Sequence, residues 1–151
     1  MTLSRRTVLL GGLAVAPALA ASMAQAREPA VFQKNGIAIN GADPVAYFTQ
    51  QRPVIGSADQ AYDWNGARWH FASAANRDSF AGDPEGYAPR FGGYCAFAAS
   101  RGYLAPTTPE AWTVHEGTLY LNANLRAREL WLEDIPGNIA KGEANWPGIL
   151  G

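Results

Sequence analysis

The amino-acid sequence predicts an α+β fold, in which short helices pack on a small antiparallel sheet built from β-hairpins. Two stretches alternate apolar and polar residues on either side of a turn-forming pair, which is typical of hairpins. Between and after these stretches, Asp, Ser or Asn residues precede segments of helical length, often with proline next in the chain. The chain has no internal repeat and no long polar linker, which indicates one domain.

Residues 1–26 predict a cleavable export signal. A twin arginine, Arg5 and Arg6, precedes a short apolar run, and Ala24 and Ala26 complete the A-x-A pattern that signal peptidase accepts. The apolar run is too short, and too interrupted by glycine and proline, to be a transmembrane helix. The arginine pair favours the twin-arginine route, which carries folded proteins, over an ordinary secretory signal. We therefore expect cleavage after Ala26 and a periplasmic location.

The mature chain, residues 27–151, is predicted to be a single, mildly acidic domain. The full sequence has a formal net charge of −1, and the signal peptide removes two arginines from it and no acidic residue. This balance argues against nucleic acid and anionic membrane surfaces as partners, and no membrane span is expected in the mature protein. Both methionines, Met1 and Met23, leave with the signal peptide, which removes every thioether ligand.

The first hairpin is predicted around Asn65 and Gly66, because this pair accepts the positive φ angles of a type I′ turn. Pairing across the turn divides the flanking side chains between two faces. The face predicted to enter the core holds Tyr62, Trp64, Trp69 and Phe71. The face predicted to meet water holds Asp63, Arg68 and His70.

A second hairpin is predicted around Glu116 and Gly117, which form a weaker turn signal. One face of this hairpin holds Trp112, Val114, Leu119 and Leu121. The other face holds Thr113, His115, Thr118 and Tyr120. A register slip of one residue would exchange the two faces, so this assignment depends on the turn.

Short helices are predicted wherever a capping residue opens a segment between or after the hairpins. The predicted helices cover 44–48, 74–81, 84–87, 94–100, a segment from Asn122 or Asn124 to Glu133, and a last short helix from Asp134. Residues before Lys34 are expected to form a loose lead-in, and the tail around Trp146 is expected to lay its indole on the domain.

Five segments of the mature chain carry a family resemblance: GADPVAYFT, WNGARWHFASAANRDSF, DPEGYAPRFGGYCAFA, AWTVHEGTLYLN and DIPGNIAKGEANWP. Together they resemble the exported YHS-domain proteins of proteobacteria, over nearly all of the mature chain. The resemblance implies a YHS/treble-clef-like core related to the metal-binding TRASH domains. Metal-associated members carry thiols at positions that are Ala46, Ala72 and Asn76 here, and methyl groups cannot bind a metal. The resemblance therefore does not carry the family's metal site to this chain.

Cys95 is the single cysteine of the chain and the first candidate for a functional residue. With Gly92 and Gly93 in a tight turn and a helix from Tyr94, its sulfur would lie in the first helical turn, where free N–H groups favour the thiolate. One interpretation is a metal-binding or redox-reactive thiol between Tyr94 and Phe97. The alternative is a buried cysteine that packs as a small apolar residue.

His70 and His115 are the other candidate metal ligands. Each is predicted on the outer face of a hairpin, where a solvated histidine is the alternative interpretation. Joined in one sheet with both cores on the same side, the two hairpins would bring the histidines to one face. A two- or three-ligand site that uses Cys95 with one histidine would suit a soft transition-metal ion such as Cu(I), held weakly or shared with a protein partner.

The sequence contains no Ser-His-Asp set, P-loop or CxxC motif, so no enzyme of a known type is predicted. It favours a periplasmic, non-enzymatic YHS-type module that binds a soft metal ion such as copper or a small partner, in metal homeostasis, with an unidentified protein or metal donor as its partner. The alternatives are a thiol-dependent redox protein using Cys95, and a structural or partner-binding domain without chemistry. An aromatic groove for a ligand or peptide is a further interpretation, although Trp64, Trp69 and Trp112 are predicted in the core.

Overall fold

The computed structural model of the protein describes residues 27–151, together with Gly11, Gly12 and Ala14. The residues that define the predicted export signal lie outside the described residues: Arg5, Arg6, Ala24 and Ala26. No helix in the described part of the chain is long and apolar enough to cross a membrane. The described residues form a mixed α+β fold with a small sheet and short helices, as the sequence predicts.

The larger sheet has the strand order β1-β2-β4-β3. Its strands are β1 (Gln33–Lys34), β2 (Ile37–Ala38), β3 (Ser57–Trp64) and β4 (Ala67–Phe71). Strands β3 and β4 are antiparallel with Tyr62 opposite Trp69, which confirms the predicted register. Strand β2 pairs with β4 in parallel, so the prediction of a wholly antiparallel sheet was wrong. The reason is that Asn35 and Gly36 turn the lead-in back along β4 and add a short hairpin there.

The second hairpin forms a separate two-stranded sheet. Its strands are β5 (Trp112–His115) and β6 (Thr118–Leu121), paired in the predicted register. Both faces of β6 are covered, because Leu119 and Leu121 pack in the first core cluster while Tyr120 packs in the second. Tyr120 lies on the face opposite Leu119 and Leu121, as predicted, and is buried there as well.

Each helix begins at a capping side chain that accepts a hydrogen bond from the first turn. The helices are α1 (Pro44–Thr49), α2 (Ala74–Gly82), α3 (Pro84–Tyr87), α4 (Ala96–Arg101), α5 (Leu125–Leu132) and α6 (Ile135–Asn145). Helix α4 begins two residues later than predicted, because Phe91, Gly92 and Gly93 have positive φ angles and Tyr94 is extended. Short 3-10 turns occupy Ile39–Gly41, Arg90–Gly93 and Gly148–Leu150.

Two clusters of buried side chains meet at Trp146, which packs against both. The first cluster surrounds Trp69, Phe71 and Phe80, and the second surrounds Trp131 and Tyr120. The lead-in is also ordered against the body and against the tail. The Glu28 N–H donates to the Leu150 carbonyl at 2.8 Å, and the Tyr94 hydroxyl donates to the Pro29 carbonyl at 2.8 Å. These contacts replace the loose lead-in that the sequence predicts.

Candidate functional site

Cys95 is the capping residue of α4, and only 2% of it is exposed. Its sulfur accepts the Ala98 N–H at 3.5 Å and the Ala123 N–H at 3.2 Å, and lies 3.4 Å from Oδ1 of Asn122. Ala123 follows β6, so the sulfur links the start of α4 to a second part of the chain. We call Cys95, Ala98, Asn122 and Ala123 the Cys95 cluster.

The side chain of Asn122 presents an acceptor to the sulfur. Its Oδ1 accepts the Phe97 N–H at 2.9 Å, so the amide group is held with its oxygen toward Cys95. The S–H group can donate to that oxygen at 3.4 Å while the sulfur accepts the two backbone N–H groups. The thiolate suggested by the helix start stays a prediction.

The carboxylate of Asp43 forms a second buried hub, with no exposed surface. Oδ1 accepts the N–H groups of Val45 and Ala46 at 2.9 and 3.4 Å, which caps α1. Oδ2 accepts the Ala72 N–H at 2.9 Å and the Asn76 side-chain amide at 2.8 Å. We call these five residues the Asp43 cluster.

The two histidines lie apart from the hydrogen-bond partners of Cys95. His70 is half-buried on β4 opposite Ala61. His115 lies at the tip of the β5–β6 hairpin, with its Nε2 3.9 Å from Glu116. Asn122 follows the other end of β6, so it lies roughly 13 Å from the hairpin tip at about 3.4 Å per residue.

No group of three or more His, Cys, Asp or Glu side chains in the described chain is placed to hold a metal ion. The contacts of the Cys95 sulfur are backbone N–H groups and an amide oxygen, neither of which is a soft-metal ligand. Metal binding by Cys95, His70 and His115 stays a prediction, and the structure does not gather the three side chains around one point.

A cleft of about 500 Å³ opens beside the place where the two core clusters meet. We call it the aromatic cleft and define it by Trp64, Trp69, Glu85, Arg90, Phe91 and Trp146, which are among its lining residues. We call Trp69, Phe91 and Leu150 its floor; these lining residues are 0%, 2% and 7% exposed. A larger hollow of about 610 Å³ lies between the two Asn-Gly turns, but it is more open and contains a single aromatic side chain.

The walls of the aromatic cleft are held by ring contacts outside it. The Trp64 ring lies 5.7 Å edge-on from Phe80, and the Trp146 ring lies 6.2 Å from Tyr94. Both indoles are half-buried, so each keeps part of its surface for the cleft. Gly92 brings the lead-in against the floor, because a Cβ there would come within 1.9 Å of the Ala30 carbonyl oxygen. These contacts form the cleft before any ligand arrives.

The charges at the rim of the cleft are unequal. The Arg90 guanidinium pairs with Glu143 at 2.5 Å, which neutralises the one cationic side chain that lines the cleft. Glu85 is exposed on α3, and none of the salt bridges within residues 27–151 includes it. The rim therefore carries an excess of negative charge.

Comparisons with known proteins give no further assignment: no family model matches the chain, and no curated protein or solved structure matches it. The site must be judged from its own geometry. Sequence reasoning placed Trp146 against the domain, and the structure confirms that packing. The sequence did not identify Glu85 or Arg90 as rim residues. The available signal was that Glu85 follows the Asp-Pro helix start and that Arg90 comes shortly before the double glycine.

Proposed function

We propose that the mature chain is a non-enzymatic, YHS-type binding module that works in the periplasm and takes a small ligand in the aromatic cleft. The cleft volume of about 500 Å³ is the observation that carries this proposal. Small-molecule sites are concave, largely apolar and pre-formed, with volumes of roughly 300–1,000 Å³ and a few polar groups at defined points. The aromatic cleft is concave, falls in this range of volume, and combines aromatic with polar lining residues.

The arrangement around Asp43 supports the YHS-type part of the proposal. Ala46 is distant in the sequence from Ala72 and Asn76, yet the backbone N–H groups of Ala46 and Ala72 and the side-chain amide of Asn76 all donate to one carboxylate. We propose that the Asp43 carboxylate cross-links this part of the fold in place of a metal site.

The engagement of the Cys95 sulfur favours ligand binding over thiol chemistry. A reactive thiol needs access to its substrate and a local environment that stabilises the thiolate. The sulfur is buried against three polar partners, one of which is an oxygen. A redox role for Cys95 would require α4 to separate from the segment after β6.

The test of the proposed function is a binding screen of the purified protein with a panel of small anionic, neutral and cationic compounds. Indole N–H signals in the NMR spectrum report contact with Trp64 and Trp146. We expect at least one class of compound to shift these two signals in a saturable way and to leave the signal of Trp112 unchanged. The absence of saturable shifts for every class at millimolar concentration would contradict a ligand-binding cleft.

Soft-metal binding is tested separately with Cu(I) under reducing conditions. From the sequence we predict at most one weakly bound ion, lost in Cys95→Ala while the fold survives. An ion retained by Cys95→Ala would place the metal site elsewhere.

Export is tested with the double substitution Arg5→Lys and Arg6→Lys. We predict that this variant accumulates as uncleaved precursor in the cytoplasm. Normal secretion of the variant would contradict the twin-arginine assignment.

A further inference from the structure

We propose that the aromatic cleft recognises an organic cation, namely an ammonium group that carries methyl or other small apolar substituents. This inference rests on the proposed function, because it names the class of ligand for the same cleft. It is carried by two properties of the cleft, namely its half-buried indole walls and the charge at its rim.

The indole walls provide the attraction for a cation. Trp64 and Trp146 both line the cleft, and tryptophan has the strongest attraction for a cation among the aromatic side chains. Several aromatic rings around one space are the arrangement by which proteins recognise quaternary ammonium groups.

The half-buried indoles select for substituents on that cation. Trp64 and Trp146 keep part of their apolar surface open to the cleft. A small inorganic ion would lose hydration against these rings without gaining polar ligands from them. Methyl groups on nitrogen spread the positive charge and gain free energy from burial against the rings. The two indoles therefore favour an alkylated ammonium over a metal ion.

The charge at the rim decides between a cationic and an anionic ligand. Arg90 is already paired with Glu143 at 2.5 Å, while Glu85 remains exposed without a cationic partner within residues 27–151. The remaining carboxylate attracts a cation and repels an anion, and this effect weakens as salt is added. A neutral planar ligand would gain from the indoles but would not use Glu85.

The experiment compares choline with 3,3-dimethylbutan-1-ol, a neutral alcohol of the same shape with carbon in place of nitrogen. Binding of each to the purified protein is measured by calorimetry and by the indole N–H signals. We expect choline to bind at least about tenfold more tightly than the neutral alcohol. Glu85→Gln should weaken choline binding by about threefold and leave the alcohol unchanged. Glu133→Gln, an exposed carboxylate on the far end of α5, is the matched control and should change neither.

The outcomes separate this inference from the proposed function. Equal binding of choline and the alcohol would overturn the cation inference and leave a ligand-binding cleft. The position of the cation is tested with two variants, the double variant Trp64→Phe with Glu85→Gln and the single variant Trp146→Ala. Choline binding that survives in both variants would place the cation elsewhere and would also overturn the cation inference. Failure of choline to bind, with another class of compound shifting the indole signals in the screen above, would overturn the cation inference alone. Failure of every class would overturn both.

Discussion

The Asp43 cluster and the Cys95 cluster solve the same structural problem with different atoms. In each, a buried capping side chain accepts at least one N–H group from the first turn of a short helix and another N–H group from a distant segment. Asp43 joins α1 to the segment after β4, and Cys95 joins α4 to the segment after β6. Both side chains are therefore cross-links between a helix start and the end of a hairpin.

The difference between the two clusters lies in charge and distance. The shortest contacts of the Asp43 carboxylate are 2.8 and 2.9 Å, whereas those of the Cys95 sulfur are 3.2 to 3.5 Å. Hydrogen bonds to an ionised group are about twice as strong as neutral ones, and sulfur is a weak acceptor. A buried carboxylate and a buried thiol can therefore both have a structural role, but removing the carboxylate should lower the free energy of unfolding by more.

The largest effect is expected from removing the Asp43 carboxylate. Asp43→Ala leaves four N–H groups without their acceptor, which should lower the free energy of unfolding by about 4 kcal/mol. Asp43→Asn keeps the shape but turns an NH2 group toward two of those donors, and should cost about 2 kcal/mol. Urea unfolding measures both values.

The control for Asp43 is Asp83→Ala, which removes an exposed capping carboxylate from α3. It should cost about 1 kcal/mol or less. Equal losses for Asp43→Ala and Asp83→Ala would contradict the role of Asp43 as a cross-link.

A smaller effect is expected at Cys95. Cys95→Ala leaves the N–H groups of Ala98 and Ala123 unpaired and should cost about 2 kcal/mol. Cys95→Ser keeps a side chain that donates and accepts, and serine is a favoured capping residue, so the cost should stay below about 1 kcal/mol. Urea unfolding of the two variants gives the difference. A larger loss for serine than for alanine would show that packing of the sulfur, and not its hydrogen bonds, holds the cluster together.

The turn at Gly66 tests the effect of backbone strain away from both clusters. Gly66 has a φ angle of +77°, and an added Cβ would meet nothing within 4 Å. Gly66→Val should therefore cost roughly 1 kcal/mol or more through strain alone, while Gly66→Asn should be mild. Thermal unfolding distinguishes the two variants. Equal thermal unfolding midpoints for Gly66→Val and Gly66→Asn would contradict a type I′ turn in the first hairpin.

The smallest change in the free energy of unfolding at neutral pH is expected at Tyr47, whose effect should also depend on alkaline pH. Burial, followed by the charges of Glu110 and Asp43, raises the pKa of the Tyr47 hydroxyl above its usual value of 10.0. A raised pKa means that the contribution of the neutral phenol to stability is complete below pH 10.0 and is lost as the pH rises above it.

Tyr47→Phe removes the 2.8 Å bond to the Pro109 carbonyl and should cost about 1 kcal/mol at pH 7. This difference from the unchanged protein should shrink as the pH rises above 10, since only the unchanged protein loses stability from that group. Urea unfolding at several pH values measures the trend, with the exposed Tyr103→Phe as control. A difference that stays constant with pH would contradict the raised pKa.

The hairpins could be predicted from sequence because their information is local. Asn65 and Gly66 fix the turn, and alternation of side chains then fixes the register. A second Asn-Gly pair, at Asn35 and Gly36, also forms a turn, but the strands beside it are only two residues long. Such short flanks show no alternation, so the lead-in strands were missed.

The clusters and the cleft could not be predicted in full because they depend on contacts between distant segments. The sequence identifies Asp43 as a helix cap, yet only the fold brings Ala72 and Asn76 to its second oxygen. In the same way, the walls of the aromatic cleft come from Trp64 in the first hairpin and Trp146 near the end of the chain. No periodic pattern links residues that meet only after folding.

The contact between Glu28 and Leu150 has a consequence for the synthesis of the protein. The ribosome makes Trp146 and Leu150 after strands β1 to β6 and helices α1 to α6. Glu28 therefore lacks its hydrogen-bond partner at Leu150 while those elements emerge. Contacts this distant in sequence are slow to form, because the intervening chain must first be ordered. The segment at Glu28 therefore gains its Leu150 partner only after the elements between them have folded.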